Sequence, residues 1–195
     1  RNVNLAHGSL YLLGGYVGFT IAEHTGWWIL AMAGGFLAAA LAGLLIQVLI
    51  LRHMQGQDLR QTMVTIGLSI VIADVLLWIF TGQVHQMEAP SFLQGPIRDL
   101  PVIRAYSAYR LSLLGFGIAI GVGLWWLLNR TKVGAMIRAG VDDRAMLAAA
   151  GVNVNLVFAI TFTLGAGLAG IGGVIGVVGL SMVPGEDTRL LLASL

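Results

Sequence analysis

The chain has 195 residues, of which 57% are hydrophobic and only 10% are charged. An ordinary soluble domain carries about 25% charged residues, so most of this chain's surface cannot face water. A net charge of +2 without a basic stripe excludes a nucleic-acid-binding protein, and the absence of cysteine excludes disulfides, thiolate metal sites and cysteine nucleophiles.

Five apolar stretches are long enough to span a membrane, since crossing a hydrocarbon core of about 30 Å takes about 20 helical residues. In chain order they cover 5–22, 27–51, 62–81, 111–129 and 155–180. Continuous apolar runs favour helices over the alternating strands of a membrane barrel. The sequence therefore predicts an all-α fold, a polytopic transmembrane helical bundle of about five spans in a single domain over 1–195. Because the chain starts at Arg1 and stops inside an apolar run, we expect a fragment truncated at both ends.

Two connecting segments differ in character. The segment 82–110 holds three of the four prolines, whereas 130–154 has the pattern of an amphipathic, water-facing helix. Basic residues favour the cytoplasmic side. With Arg1 inside, seven basic residues lie in inside loops and four in outside loops. This bias predicts an external loop at 82–110 and a cytoplasmic segment at 130–154.

The first span begins with polar residues. Asn4 and His7 are three residues apart, so they share a helix face and could cap backbone groups at a distorted helix end. A lone histidine without a second ligand at metal-binding spacing is no metal site. Asn4, His7 and Gly8 are therefore candidates either for the translocation path or for helix packing.

Asp74 is the only acid well inside a predicted span. A carboxylate at membrane depth is costly, so it should face the bundle interior or a wet cavity. It could serve the translocation path or a proton relay, or it could bond a neighbouring helix. No second acid or intramembrane base accompanies it, which favours the structural role.

The cytoplasmic segment contains helix-boundary signals. Asp142 or Asp143 is a candidate N-cap, Val141 could pack on Met146, and Gly151 suits a left-handed position after the last turn. The pattern predicts a short capped helix that presents small side chains. It is either a docking element or a plain connector between spans.

Glycines and small residues recur four residues apart in several spans, which is typical of close helix packing in membranes. They are Gly14/Gly18, Gly35/Ala39/Gly43, Gly115/Ala119/Gly123 and Gly172/Gly176. The Gly-x-Gly-x-x-Gly pattern at 165–170 matches a dinucleotide-binding motif, but it lies inside an uncharged stretch, so we interpret it as helix packing. An ATPase P-loop requires a lysine between a glycine and a serine or threonine. The only lysine, Lys132, lies between Thr131 and Val133, so the sequence lacks this motif.

Two segments resemble a known family. The stretch from Asn4 to Tyr16, Asn-Leu-Ala-His-Gly-Ser-Leu-Tyr-Leu-Leu-Gly-Gly-Tyr, is similar to the Asn-Phe-Ala-His-Gly signature of branched-chain amino acid ABC importer permeases, in particular their H-type subunit. The stretch from Ile137 to Asn153 resembles the family's cytoplasmic coupling segment. Thr65–Ile70 also resembles part of the family's third span. The departures are mild, with Leu5 for an aromatic residue and Gly15 for alanine.

The resemblance implies a type II importer permease in the bacterial inner membrane. Its partners would be a second, M-type permease subunit, two cytoplasmic ABC ATPases that use ATP-Mg, and a periplasmic solute-binding protein. This chain itself would bind no cofactor or metal and would be no enzyme. The resemblance assigns ATPase coupling to these residues: Arg138, Asp142, Asp143, Arg144, Met146, Ala149 and Gly151.

Two alternatives remain open at this stage. Related permeases carry urea, short amides or other amino acids, so the substrate is not fixed by the resemblance. An ion-coupled secondary transporter is the alternative of another class, and Asp74 is the only residue that favours it, because such carriers place charged or unwound elements at the midplane.

Overall fold

The computed structural model describes residues 6–54, 57–80, 96–97 and 106–179, and helices make up most of them. A 3-10 turn (Leu51–Met54) follows α2, and two-residue strands β1 (Pro96–Ile97) and β2 (Tyr106–Ser107) precede α4. Within the described ranges the α-helices are α1 (His7–Thr25), α2 (Trp28–Leu49), α3 (Asp58–Phe80), α4 (Ala108–Arg130), α5 (Lys132–Asp142), α6 (Arg144–Ala149) and α7 (Val154–Gly179).

The predicted helical membrane bundle is confirmed. The antiparallel pairing of β1 with β2, with Pro96 opposite Ser107 and Ile97 opposite Tyr106, is a local addition to it. This pairing lies inside the predicted external loop 82–110. Residues 82–95 and 98–105 of that loop lie outside the described ranges. The helix α4 begins at Ala108, three residues before the predicted start of its span.

Among the described residues, four helices have the length and apolar composition needed to cross a membrane. They are Trp28–Leu49, Leu59–Phe80, Ala108–Arg130 and Val154–Val178. These match the predicted spans 27–51, 62–81, 111–129 and 155–180. The prediction started the third span after Arg60 and ended the fourth before Arg130, whereas α3 begins at Asp58 and α4 ends at Arg130. Charged side chains at a helix end can reach the polar interface, so they need not end the helix.

The predicted first span, 5–22, corresponds to α1, which is helical but is not among those four. Its last turns carry Glu23 and His24, and glycines further lower its apolar content. The helix is continuous rather than distorted, and it ends at Gly26, whose left-handed φ of 69° closes the last turn. Leu10, Leu12 and Tyr16 of α1 are fully buried. Because its neighbours cover it, α1 needs less apolar surface than a lipid-facing helix.

The described residues pack as two compact units. One contains α1, α2, the 3-10 turn, α3 and α7 from Phe158 onward. The other contains the two strands, α4, α5, α6 and the first four residues of α7. The single transmembrane domain predicted for 1–195 stays a prediction.

Two side-chain clusters form the core of the first unit. At one level, Leu10 of α1 packs with Ile46 of α2, Leu51 and Ala166 of α7. At the other level, Leu12 and Tyr16 pack with Leu76 of α3 and Val177 of α7. Leu68 of α3 also packs against the first cluster, and Leu76 belongs to the second. Residues of α1, α3 and α7 therefore follow the same order through the two clusters, so these three helices run in parallel.

Backbone contacts between glycines hold three of these helices together. Gly14 of α1, Gly35 of α2 and Gly170 of α7 meet where a Cβ built on Gly35 would lie 2.7 Å from the Gly14 carbonyl oxygen. A Cβ on Gly170 would collide with the Gly35 carbonyl oxygen. Removing the side chains lets backbones approach closely, and the predicted packing role of these glycines is confirmed.

The same spacing in α4 has no packing partner among the described residues. A Cβ built on Gly115 or Gly123 would have no atom within 4 Å. Large apolar side chains of this helix are exposed, including Leu114, Ile118 and Trp126. The expectation that Gly115, Ala119 and Gly123 pack against a neighbouring helix stays a prediction. The exposed apolar surface suits contact with lipid tails.

Candidate functional site

The predicted cytoplasmic segment 130–154 contains two helices, and Asp143 separates them. Its backbone is extended, with φ −147° and ψ 105°, and its Oδ1 accepts hydrogen bonds from the N–H groups of Ala145 at 2.9 Å and Met146 at 3.0 Å. A side-chain cap of this kind contributes about 1 kcal/mol to a helix. Of the two predicted candidates, Asp143 is the cap, whereas Asp142 is the exposed last residue of α5.

The other end of α6 is also closed. Gly151 has a left-handed φ of 79°, as its position after the last turn predicted. Its N–H donates to the Ala148 carbonyl at 3.0 Å, and the Val152 N–H donates to the Leu147 carbonyl at 3.3 Å. This pair of bonds is the Schellman motif. The six-residue helix therefore has both ends fixed by local hydrogen bonds.

Leu147 anchors α6 to α5. Its side chain is buried, and a Cβ built on Gly140 of α5 would lie 3.1 Å from the Leu147 Cδ2. The expected packing of Val141 on Met146 is wrong, since each side chain is 72% exposed. With the cap at Asp143, the fourth helical position, which a hydrophobic staple uses, is Leu147 rather than Met146.

The outward side of α6 presents small and flexible side chains. Met146 is exposed, together with Ala145, Ala148, Ala149 and Ala150. Arg144 is half-buried. A fixed helix with this surface can fit closely into a groove, because alanine side chains add little bulk and methionine adapts its shape.

The helix α5 is in turn fixed to the end of α4. The Thr131 hydroxyl accepts from the Gly134 N–H at 3.1 Å, and a Cβ on Gly134 would collide with the carbonyl oxygens of Leu127 and Leu128. The Arg138 guanidinium donates to the Leu128 carbonyl oxygen and lies 3.4 Å from the Asn129 Oδ1. Arg138, a predicted coupling residue, therefore has a definite contact inside the chain: it caps the C-terminal carbonyls of α4.

The polar start of α1 is described from Ala6 onward. Asn4 lies outside the described residues. His7 is the first residue of α1 and is exposed, while Gly8 is buried. Among the residues from Ala6 onward, no side chain caps this helix, and its first turn is closed by the Ser9 hydroxyl, which donates to the Ala6 carbonyl oxygen at 2.9 Å. The His7 imidazole lies beside α7, where a Cβ on Gly165 would be 3.8 Å from its Cε1.

The Gly-x-Gly-x-x-Gly pattern lies inside α7. A Cβ on Gly167 would collide with the Phe36 ring of α2, and Gly170 belongs to the three-glycine contact. The helix-packing interpretation is confirmed, because these glycines contact α2 within a continuous helix and do not open a phosphate-binding turn.

A buried polar face on α3 is the feature that the sequence analysis missed. Gln61, Thr65 and Ser69 are buried, with exposed fractions of 2%, 0% and 7%. Residues four apart on a helix lie on one face. The outward face of the same helix carries apolar side chains such as Met63, Ile70 and Trp78. The spacing of 61, 65 and 69 was the available signal.

Asp74 lies on the exposed side of α3. At about 100° per residue, it lies on the side opposite Thr65 and Leu76, which face the helices of the first unit. The expectation that Asp74 faces the bundle interior is therefore not met within the described residues. Over the same part of the chain, no group of three histidine, aspartate or glutamate residues could hold a metal ion.

Comparison with known proteins places the chain. A family model described as the permease component of branched-chain amino acid transport systems matches residues 1–193. The chain belongs to this family. It is therefore a transport permease component and a multi-pass membrane protein. The match covers the capped segment, the three-glycine contact and the polar face of α3.

Individual relatives are distant in sequence. The high-affinity branched-chain amino acid transport system permease protein BraD of Pseudomonas aeruginosa is 24% identical over 182 residues, which cover 87% of this chain and 59% of that protein. The corresponding LivH proteins of Escherichia coli K12 and Salmonella typhimurium are 25% and 24% identical over 186 residues, covering 87% of this chain and 58% of each protein. The chain thus spans about three fifths of the length of these relatives. No solved structure matches it.

Proposed function

We propose that this permease forms the translocation path of an ATP-binding cassette importer for branched-chain amino acids in the bacterial inner membrane. A second permease subunit, two cytoplasmic ATPases and a periplasmic solute-binding protein complete the importer. Membership of the family and the relatives' transport of branched-chain amino acids support this proposal. ATP-Mg is used by the partner ATPases, and this chain performs no covalent chemistry.

The capped helix α6 is the observation that carries the coupling part of the proposal. It is short, closed at both ends and exposed along Met146 and Ala149. We assign it to a groove on the partner ATPase. Two of the assigned coupling residues, Asp143 and Gly151, then act by shaping the helix, and Met146 and Ala149 act by contact. Arg138 holds α5 to α4, so it acts as a positioning residue.

Motion at α6 has two routes into the spans. Leu147 on Gly140 connects α6 to α5, and Thr131, Gly134 and Arg138 connect α5 to α4. In the other direction, Gly151 to Asn153 lead directly into α7. Because each link is a close contact or a hydrogen bond, closure of the ATPase dimer would move these helices together rather than bend the connection. This is how ATP binding would open the path to the other side.

The substitution Ala149→Glu tests this assignment. A charge forced into a close-fitting interface costs several kcal/mol, and each 1.4 kcal/mol is a factor of ten. We expect at least a tenfold loss of leucine uptake and of substrate-stimulated ATP hydrolysis in proteoliposomes that contain the assembled importer. Membrane insertion should persist. Ala135→Glu is the matched control, because Ala135 is an exposed alanine on α5, and it should leave both rates near those of the wild type.

Normal uptake in the Ala149→Glu importer would refute α6 as the coupling helix. Uptake by the wild type that survives ATP depletion would instead support an ion-coupled carrier. The exposed position of Asp74 does not favour that alternative. Transport of urea or a short amide without transport of leucine would keep the permease assignment and change its substrate.

A further inference from the structure

The buried face of α3 has two chemically different halves. Toward the N-terminal end of α3 it contains the buried Gln61, Thr65 and Ser69. Toward the C-terminal end the same face continues with Leu76, which packs with Leu12 and Tyr16 of α1. From Gln61 to Ser69 the helix rises about 12 Å, which is about two fifths of a hydrocarbon core of about 30 Å.

The apolar half is closed by an aromatic pair. The rings of Tyr16 and Phe80 are stacked with centroids 4.5 Å apart and an interplanar angle of 27°. Leu12, Leu76 and Val177 surround this pair with less than 3% of each side chain exposed. A contact of this kind excludes water and polar solutes from that half of the face.

The polar half contains hydrogen-bond acceptors without a described partner. The Gln61 Nε2 donates to the Met54 carbonyl oxygen at 3.0 Å, which leaves its buried Oε1 without a hydrogen bond among the described residues. Gln47 of α2 is 1% exposed, and its Oε1 also has no hydrogen bond among the described residues. Gln47 lies near the C-terminal end of α2 and Gln61 near the N-terminal end of α3, on either side of the 3-10 turn. A buried acceptor without a hydrogen bond is unfavourable, so both Oε1 atoms can accept a hydrogen bond from a transported solute.

The distribution of polarity on α3 is the reverse of that in a soluble helix. Its apolar side chains face outward and its polar side chains are buried, as membrane proteins arrange groups that meet a polar solute. Asp74 is the charged residue within this span, and it lies on the opposite side of α3. An amino acid zwitterion has no net charge, so hydrogen-bonding groups can solvate it without holding it as tightly as a fixed charge would.

We propose that Gln61, Thr65 and Ser69 of α3, with Gln47 of α2, line the half of the translocation path next to the 3-10 turn. The glutamine Oε1 atoms accept hydrogen bonds from the α-ammonium group of the transported amino acid. The stacked Tyr16 and Phe80 close the other half of the path in this conformation. This inference rests on the proposed function and adds the location and chemistry of the solute site.

Single-cysteine variants test the path directly, because the chain has no cysteine of its own. Thr65→Cys and Ser69→Cys change side-chain size little, so both permeases should insert and assemble with their partners, and leucine uptake is measured for each. Met63→Cys is the matched control, because Met63 lies on the outward face of α3 at 64% exposure. Each importer is reconstituted in proteoliposomes, both nucleotide-free and trapped with vanadate, and treated from the ATPase side with a cationic, membrane-impermeant methanethiosulfonate.

We expect cysteines at positions 65 and 69 to react at least tenfold faster than the one at position 63 in one of the two states. Millimolar leucine should slow the reaction several-fold, whereas 4-methylpentanoate, which lacks the amino group, should not. Equal slowing by both compounds would overturn the ammonium assignment. Reaction at 65 and 69 no faster than at 63 in both states, in importers that transport leucine, would overturn the path. Failure of the wild type to transport any amino acid with its partners would instead refute the proposed function.

Discussion

The three-glycine contact gives the sharpest prediction, for the substitution Gly35→Ala. A Cβ at position 35 would lie 2.7 Å from the Gly14 carbonyl oxygen, 0.7 Å short of the 3.4 Å at which ordinary contact begins. Because the obstacle is backbone, α1 and α2 must separate to admit it. Overpacking of this kind costs about 1–3 kcal/mol, and the better helix propensity of alanine returns at most about 1 kcal/mol.

The net loss should be visible as thermal destabilisation. In a chain of this size each kcal/mol shifts the melting temperature by roughly 2–4 °C, so we expect Gly35→Ala to melt several degrees below the wild type. The measurement is the fraction of monodisperse protein that survives a heating series in detergent, followed by size-exclusion chromatography. Gly115→Ala is the control, since a Cβ there would meet no described atom within 4 Å. It should melt at the wild-type temperature or slightly above.

Equal melting temperatures for the Gly35→Ala and Gly115→Ala proteins would refute the reasoning. That result would mean that the three helices can separate by 0.7 Å at no cost, and that the glycines do not determine how closely they pack. A larger side chain gives a second measurement. Gly35→Val should lower the yield of monodisperse protein further, in proportion to the added volume.

Two further predictions concern acidic residues. Asp143→Ala removes the α6 cap, worth about 1 kcal/mol, and should lower leucine uptake and stimulated ATPase rates several-fold in the assembled importer; Asp143→Asn should retain both rates because asparagine caps equally well. An equal loss in the Asp143→Asn variant would contradict the cap assignment. Asp74→Asn should leave ATP-driven uptake intact, because the carboxylate faces away from the α1–α3 interface; a selective loss of proton-dependent uptake would contradict this expectation.

Much of the helical architecture could be predicted from the absence of charge alone. Backbone groups in lipid must bond within their own segment, so a long uncharged stretch has to be a helix. The ends of α3 and α4 were less predictable, because α3 begins at Asp58 and α4 ends at Arg130, and a charged residue at a helix end need not end the helix. The signals at Asp143 and Gly151 were reliable because each depends only on hydrogen bonds to residues nearby in the sequence.

The orientation of side chains was harder to predict. Charge counting identified Asp74 as an unusual residue in a span, yet which side of α3 it occupies depends on where α1 packs. Met146 and Leu147 are equally apolar neighbours, and only the position of the cap decides which of them is buried. The polar face of α3 was readable in the spacing of 61, 65 and 69. It was missed because each residue is uncharged, so none of them interrupts an apolar stretch.

The glycine contacts also determine which helices of the first unit can shift separately. Between α1, α2 and α7 the backbones touch, so any relative sliding would drive carbonyl oxygens into neighbouring main chain. Between α1 and α3 the contact consists of side chains such as Tyr16, Ile72 and Leu76, and Gly67 of α3 has no described atom within 4 Å of a built Cβ. Side-chain layers can move by small shear steps in which rotamers change. The helix α3 can therefore shift along α1 more readily than α1, α2 and α7 can shift against one another.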